Sequence, residues 1–129
     1  MVIEVNVDGA SAGNPGPSGA GIMIKNNGLV EKHSIPLGMM DNHEAEFTAC
    51  RMALEFCLEK QADIVWLRSD SQAVVQAIEK EFVRNSQYKP LLEEILGLTK
   101  QMNLFFVKWV PSKENKAADE LARKAIHLN

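Results

Sequence analysis

Val2-Ile3-Glu4-Val5-Asn6-Val7-Asp8 alternates apolar and polar residues and runs without a break into Gly9-Ala10-Ser11-Ala12-Gly13-Asn14-Pro15-Gly16-Pro17-Ser18-Gly19. A period of two marks a strand with one face buried, so the chain must enter its core as a strand, present Asp8 at the carboxyl end and turn back through glycine and proline. That density of Gly and Pro exceeds what a plain hairpin needs, and glycine lets another backbone, or a ligand's, come close. Alone, Asp8-Gly9 is commoner as a solvated turn than as a site acid. The rest of the chain decides between them.

Gly19 to Lys25 and Leu29 to Leu37 read as two further strands around Asn26-Asn27-Gly28, an Asn-Gly hairpin signal, so the first three strands form an antiparallel meander. Asp41 and Glu44 have capping-box spacing and open a helix with Ala45, Ala49, Met52, Ala53, Phe56 and Cys57 on its buried stripe. Ile64 to Arg68 is a short buried strand. Ser69 and Asp70 cap a helix through Ala73, Val74, Ala77 and Ile78, and another helix follows Pro90. Leu104 to Val110 is the last strand, with Phe105, Phe106 and Trp109 expected in the core; Asn115 caps a final helix whose Ala118, Leu121, Ala122, Ala125 and Ile126 face inward. The order β-β-β-α-β-α-α-β-α predicts an α/β fold with a mixed sheet and helices on its faces.

At 129 residues, 46% hydrophobic and 24% charged, the sequence is expected to form one domain spanning residues 1–129. No apolar run approaches the ~20 residues of a membrane span, and the amino terminus has neither a basic region nor a hydrophobic signal core, so a cytoplasmic, membrane-independent monomer is expected. Cys50 and Cys57 lie seven residues apart on one helix. At ~1.5 Å rise per residue their backbones are ~10 Å apart, too far for a disulfide. Both read as small buried hydrophobes. The net charge of -3 argues against a polyanion partner, but Lys100 to Asn129 holds six cations and three acids and could face one.

Four carboxylates occupy comparable places: Asp8 and Asp70 at strand ends, Glu46 and Asp119 in the first turns of helices. If the first and fourth strands are parallel neighbours, their carboxyl ends coincide, which is where ligands bind in open α/β sheets. Each acid also has a structural reading. Asp70 can cap a helix, and Asp119 can pair with Arg123 at i, i+4. Glu46 has Ala49, Cys50 and Asn42 at the i+3, i+4 and i-4 positions, so none of these pairs accounts for it. Carboxylates gathered together repel unless a cation intervenes, and carboxylates without His or Cys partners suit Mg²⁺ or Mn²⁺. Two such ions ~4 Å apart can activate a water and stabilise a leaving oxygen in phosphodiester hydrolysis.

Asp8-Gly9-x-x-x-Gly13-Asn14-Pro15-Gly16-Pro17-x-Gly19, Asn42-x-x-x-Glu46, Ser69-Asp70-Ser71-Gln72 and Asn115-x-x-x-Asp119-Glu120-Leu121-Ala122 resemble, in order and over essentially the whole chain, the motifs of ribonuclease H type 1. The resemblance implies a ribonuclease H-like fold, a five-stranded mixed sheet with helices on both faces. It also implies a two-metal endonuclease that cleaves the RNA strand of RNA/DNA hybrids, with Asp8, Glu46, Asp70 and Asp119 as metal ligands and no organic cofactor. Asn14, Asn42 and Gln72 match positions that contact the hybrid, and Glu46 also matches one that senses the 2′-hydroxyl, the group that separates RNA from DNA. Gly9, Ser11, His43 and Lys113 complete the expected substrate contacts.

Three departures lower the expected activity. The segment from Trp109 to Asn115 is short and lacks the catalytic His of many relatives, leaving Lys113 as its cation. Between Gln76 and Leu92 only Lys80, Arg84 and Lys89 stand where some relatives carry a basic, Trp-rich protrusion. Asp41 and His43 flank Asn42 where the family commonly has Thr and Asn or Gln, so the resemblance implies that an acid replaces a phosphate-contacting hydroxyl. Two rival readings follow: a weakly active or non-catalytic hybrid-binding module on the same fold, and a DNA nuclease of the wider superfamily, against which the opening glycine motif weighs.

Overall fold

The computed structural model describes residues 1–129. Its strands are β1 (Val2–Ser11), β2 (Gly16–Asn26), β3 (Leu29–Met40), β4 (Ile64–Ser69) and β5 (Leu104–Trp109), and its helices are α1 (Asn42–Glu59), α2 (Gln72–Lys80), α3 (Lys89–Thr99) and α4 (Lys116–Ile126). The sheet order is β3-β2-β1-β4-β5. The meander is antiparallel, and β1–β4 and β4–β5 are parallel, so the expected mixed sheet is present. Asn27 and Gly28 both take positive φ (50° and 81°) in the β2–β3 turn, the requirement of a type I′ hairpin.

The pleat assigns each helix its face. Ile3, Val5 and Val7 of β1, with Ala20, Ile22 and Ile24 of β2 and Val65 and Leu67 of β4, are fully buried on one face of the sheet, where α1 packs on β1 and β2 and α2 on β4. The alternate residues of β1, among them Asn6 and Asp8, point to the opposite face, where α4 lies across β1, β2 and β3. Gly9 and Gly21 set the two separations. A Cβ at Gly9 would stand 2.3 Å from the carbonyl of Ala45 in α1, and one at Gly21 only 2.0 Å from the carbonyl oxygen of Ala118 in α4. Helix and strand backbones touch at both points, which no other residue permits.

Several local expectations are corrected. Asp70 does not cap α2: Ser71 does, its hydroxyl accepting from the Val74 amide at 3.3 Å, and Asp70 is left free at the strand end. Asn115 starts α4 without a side-chain cap. Its amide is turned into the sheet, where it accepts from Asn6 and donates to the Val7 carbonyl oxygen, both at 3.0 Å. Helix α1 buries more than one stripe: Phe47, Thr48, Cys50 and Leu54 are buried too, because α3 packs against it as well as the sheet, and Met52 and Phe56 stay half-buried. Cys50 and Cys57 are buried free thiols, as expected. Of the β5 aromatics, Phe105 is half-buried against the core, whereas Phe106 and Trp109 are not core. Phe106 and Trp109 are 40% and 41% exposed, and so is Trp66 of β4 at 41%; Trp66 and Phe106 share the α4 face of the sheet, and α4 does not extend over β4 and β5.

Candidate active site

Asp8, Glu46 and Asp70 converge although they come from three separate elements. Asp8 does not end its strand as expected, since β1 runs on to Ser11 against β2; parallel pairing with β4 stops at Val7 beside Ser69, so Asp8 and Asp70 come together where that pairing ends. Contact between Gly9 and the Ala45–Glu46 backbone brings the first turn of α1 to the same point. One carboxylate oxygen from each of the three acids lies within 4.8 Å of the others, and all three residues are partly buried. Asp119 enters from α4 and lines the same cavity, of about 440 Å³, with its carboxylate also held by Arg123 at 3.1 Å. The i, i+4 pair read from the sequence is therefore made, and it sits on the wall of the acid cavity.

Electrostatics follow from this crowding. Burial, then the charge of Asp70 and a hydrogen bond with Asp119, push the Asp8 carboxyl up from 3.8 to about 8. Burial also raises Glu46, opposed by His43 and by the Ser71 hydroxyl. The neighbour of Glu46 that the helical count overlooked is His43, at i-3, whose Nδ1 lies 3.2 Å from Oε1. Carboxyls of Asp8 and Glu46 held above their ordinary range chiefly by burial, opening on a cavity without His or Cys donors, suit a hard divalent cation.

The remaining predicted contacts divide into groups. Gly9, Ser11 and Asn42 line the acid cavity. The Ser11 hydroxyl is already committed, donating to the Met40 carbonyl at 2.8 Å and so fastening the glycine turn to β3. Asn14, Asn42 and His43 line a second cavity of about 590 Å³ beside the first. Gln72 and Lys113 are exposed and line neither cavity. Two residues that sequence reasoning missed organise the second cavity: Tyr88 Oη donates to Asp41 Oδ1 at 2.9 Å, and Gln87 Nε2 donates to Oδ2 at 3.1 Å. Tyr88 also meets the His43 ring edge-on and stacks on Phe47. No periodicity marks them, since they lie in the irregular segment between α2 and α3.

Comparison with known proteins agrees with the geometry. A reverse transcriptase-like family profile matches residues 6–125. The chain is 32% identical to a ribonuclease H of Baumannia cicadellinicola, over 95% of this chain and 89% of that protein. This chain belongs to the ribonuclease H family. It is also 42% identical to the putative hydrolase EbsB of Enterococcus faecalis, over 97% of this chain and 94% of that one. LC11 ribonuclease H1, solved in complex with an RNA/DNA hybrid, superposes with a TM-score of 0.88 at 28% identity, covering 98% of this chain and 97% of its own. The ribonuclease H fold expected from the sequence is the fold observed, with helices on both faces of the sheet.

Proposed function

We propose that this ribonuclease H-family chain hydrolyses the RNA strand of RNA/DNA hybrids with two divalent cations, Mg²⁺ or Mn²⁺, held by Asp8, Glu46, Asp70 and Asp119. The observation that carries the reading is the meeting of three carboxylates within 4.8 Å where the parallel pairing of β1 with β4 stops. Bound there, the cations would supply the positive charge that acidifies a water and stabilises the departing ribose oxygen. The chain's own part is to present the oxygens in a fixed frame. Asp8 gives up the proton that burial and its neighbours hold on it, Arg123 keeps Asp119 turned to the cavity wall, and His43 steadies Glu46. Glu46 accepts from the 2′-hydroxyl of the strand to be cut, and Asn14 and Asn42 donate to the paired strand from the adjoining cavity.

Cleavage of a labelled hybrid in Mg²⁺ or Mn²⁺, with and without EDTA, tests this. Metal-dependent cutting lost in Asp70→Asn is expected, whereas metal-independent cutting or an unaffected variant refutes it. A second reading, a hybrid-binding module with little cleavage, is favoured by one observation. Asp41 and Glu44 line the cavity of Asn14 and Asn42, where phosphate binding calls for cations. Hybrid binding without cleavage in either metal would select that reading.

A further inference from the structure

The two edges of the sheet are finished differently. The β3 edge carries the devices that prevent strand addition: charges at Glu31 and Lys32, a proline at Pro36, positive φ at Gly38 and an irregular register with β2 at Ser18/Gly19. The β5 edge, Leu104-Phe105-Phe106-Val107-Lys108-Trp109, has no proline, no glycine and one charge. No residue of β5 is buried. The Leu104 and Val110 amides donate to β4, so alternation leaves the N–H and C=O groups of Phe105, Val107 and Trp109 pointing outward. On the face that α4 leaves bare, Phe106 stacks on Trp66 at 4.3 Å, flanked by Leu104.

From this we infer that β5 pairs antiparallel with β5 of a second copy, centred on Phe106, replacing the monomer expected from the sequence. In that register Phe105 and Val107 of the second copy exchange both backbone hydrogen bonds, as do Val107 and Phe105. On the bare face Phe106 meets its counterpart, and the aromatic row extends from one Trp66 to the other. Leu104 lies against the aliphatic stem of the opposing Lys108, while the two Lys108 ammonium groups remain ~13 Å apart and do not repel strongly. Nucleic acid is the poorer occupant, because Trp66 and Phe106 stack on each other rather than offering a gap to a base, and Arg68 is paired with Glu4 at 3.0 Å. Leu104, Phe106, Trp109 and Trp66 are 40–51% exposed. Large side chains of roughly 150–250 Å² thus offer on the order of 80 Å² each, and Leu104, Phe106 and Trp109 of both copies with the two strand edges cover roughly 700 Å² in total, below the ~1,000 Å² of a specific stable interface. The dimer is therefore weak and forms only at high protein concentration. Antiparallel pairing sends the two acid clusters to opposite ends of the continuous sheet, so both stay open.

Sedimentation velocity from low-micromolar to several-hundred-micromolar protein should show a concentration-dependent dimer. Hydrogen exchange on the unaltered chain should show the Phe105, Val107 and Trp109 amides becoming protected as concentration rises. Phe106→Lys, whose fold is checked by circular dichroism, should weaken the dimer at least tenfold, while Leu29→Lys at the opposite edge leaves it unchanged. Monomer at every concentration with invariant exchange at those amides overturns the inference. So does a dimer that leaves them unprotected or survives Phe106→Lys, since either places a second copy or another occupant elsewhere.

Discussion

Among single residues, the acids of the cavity act on each other before they act on a substrate. Asp70 makes no helix cap, so Asp70→Asn should leave the thermal midpoint nearly unchanged while lowering cleavage by more than about 100-fold, beyond the loss typical of groups that merely orient a metal ligand. Circular dichroism and hybrid cleavage on the same preparation separate the two effects. Asp8 behaves in the opposite sense. Its carboxyl is pushed to about 8 in the fold against an ordinary 3.8, so the folded state holds a proton that the unfolded chain has released. The stability this contributes is fully present below about pH 4 and is lost as pH rises through about 8. Metal-free protein in EDTA should therefore melt at progressively lower temperature from about pH 5 to about pH 8, and Asp8→Asn should flatten that slope. Glu46 and Asp70 were legible in the sequence because helix starts and strand ends are positions that patterning fixes, and Asp8 because the glycine run follows it, although β1 continues to Ser11. Tyr88 was not, because its role depends on how α1 meets the segment after α2, a tertiary fact, and His43 was read as a substrate contact while its i, i+3 pairing with Glu46 went unread.

For the elements, the relation between helices and sheet is set by backbone contact rather than by side-chain volume. Gly9→Ala places a methyl group 2.3 Å from the Ala45 carbonyl, so α1 has to move, and Glu46 moves with it. Overpacking of this kind costs typically about 1–3 kcal/mol and here more, and cleavage should fall further than the loss of folded protein explains. Chemical denaturation beside single-turnover cleavage distinguishes the two. Asn115→Ala leaves Asn6 and the Val7 carbonyl oxygen without their buried partner, for about 1–3 kcal/mol, while α4 loses no side-chain cap. Urea unfolding reads this directly. The element order, the hairpin and the mixed sheet could be read from alternation, Asn-Gly and helical spacing. Asn115 could not, since Asn at a helix start signals a cap wherever no deeper partner is visible. Trp66 and Phe106 were missed because a β-rich aromatic run reads as core unless one knows where α4 stops.

Taken as a whole, the molecule is an acidic protein with its own anions gathered at one place. Divalent cations that bind the folded but not the unfolded chain should raise the thermal midpoint by on the order of 10 °C at about a hundredfold excess over Kd. The gain should shrink toward about pH 5, where Asp8 keeps its proton, and should disappear in Asp8→Asn. Scanning fluorimetry across Mn²⁺ concentration and pH measures both. The close approaches at Gly9 and Gly21 carry a longer-term meaning. A descendant that gave up cleavage could shed its acids one by one and fold better for it, yet it could not part with either glycine. In such a lineage the glycines would outlast the enzyme, preserving the outline of an abandoned trade.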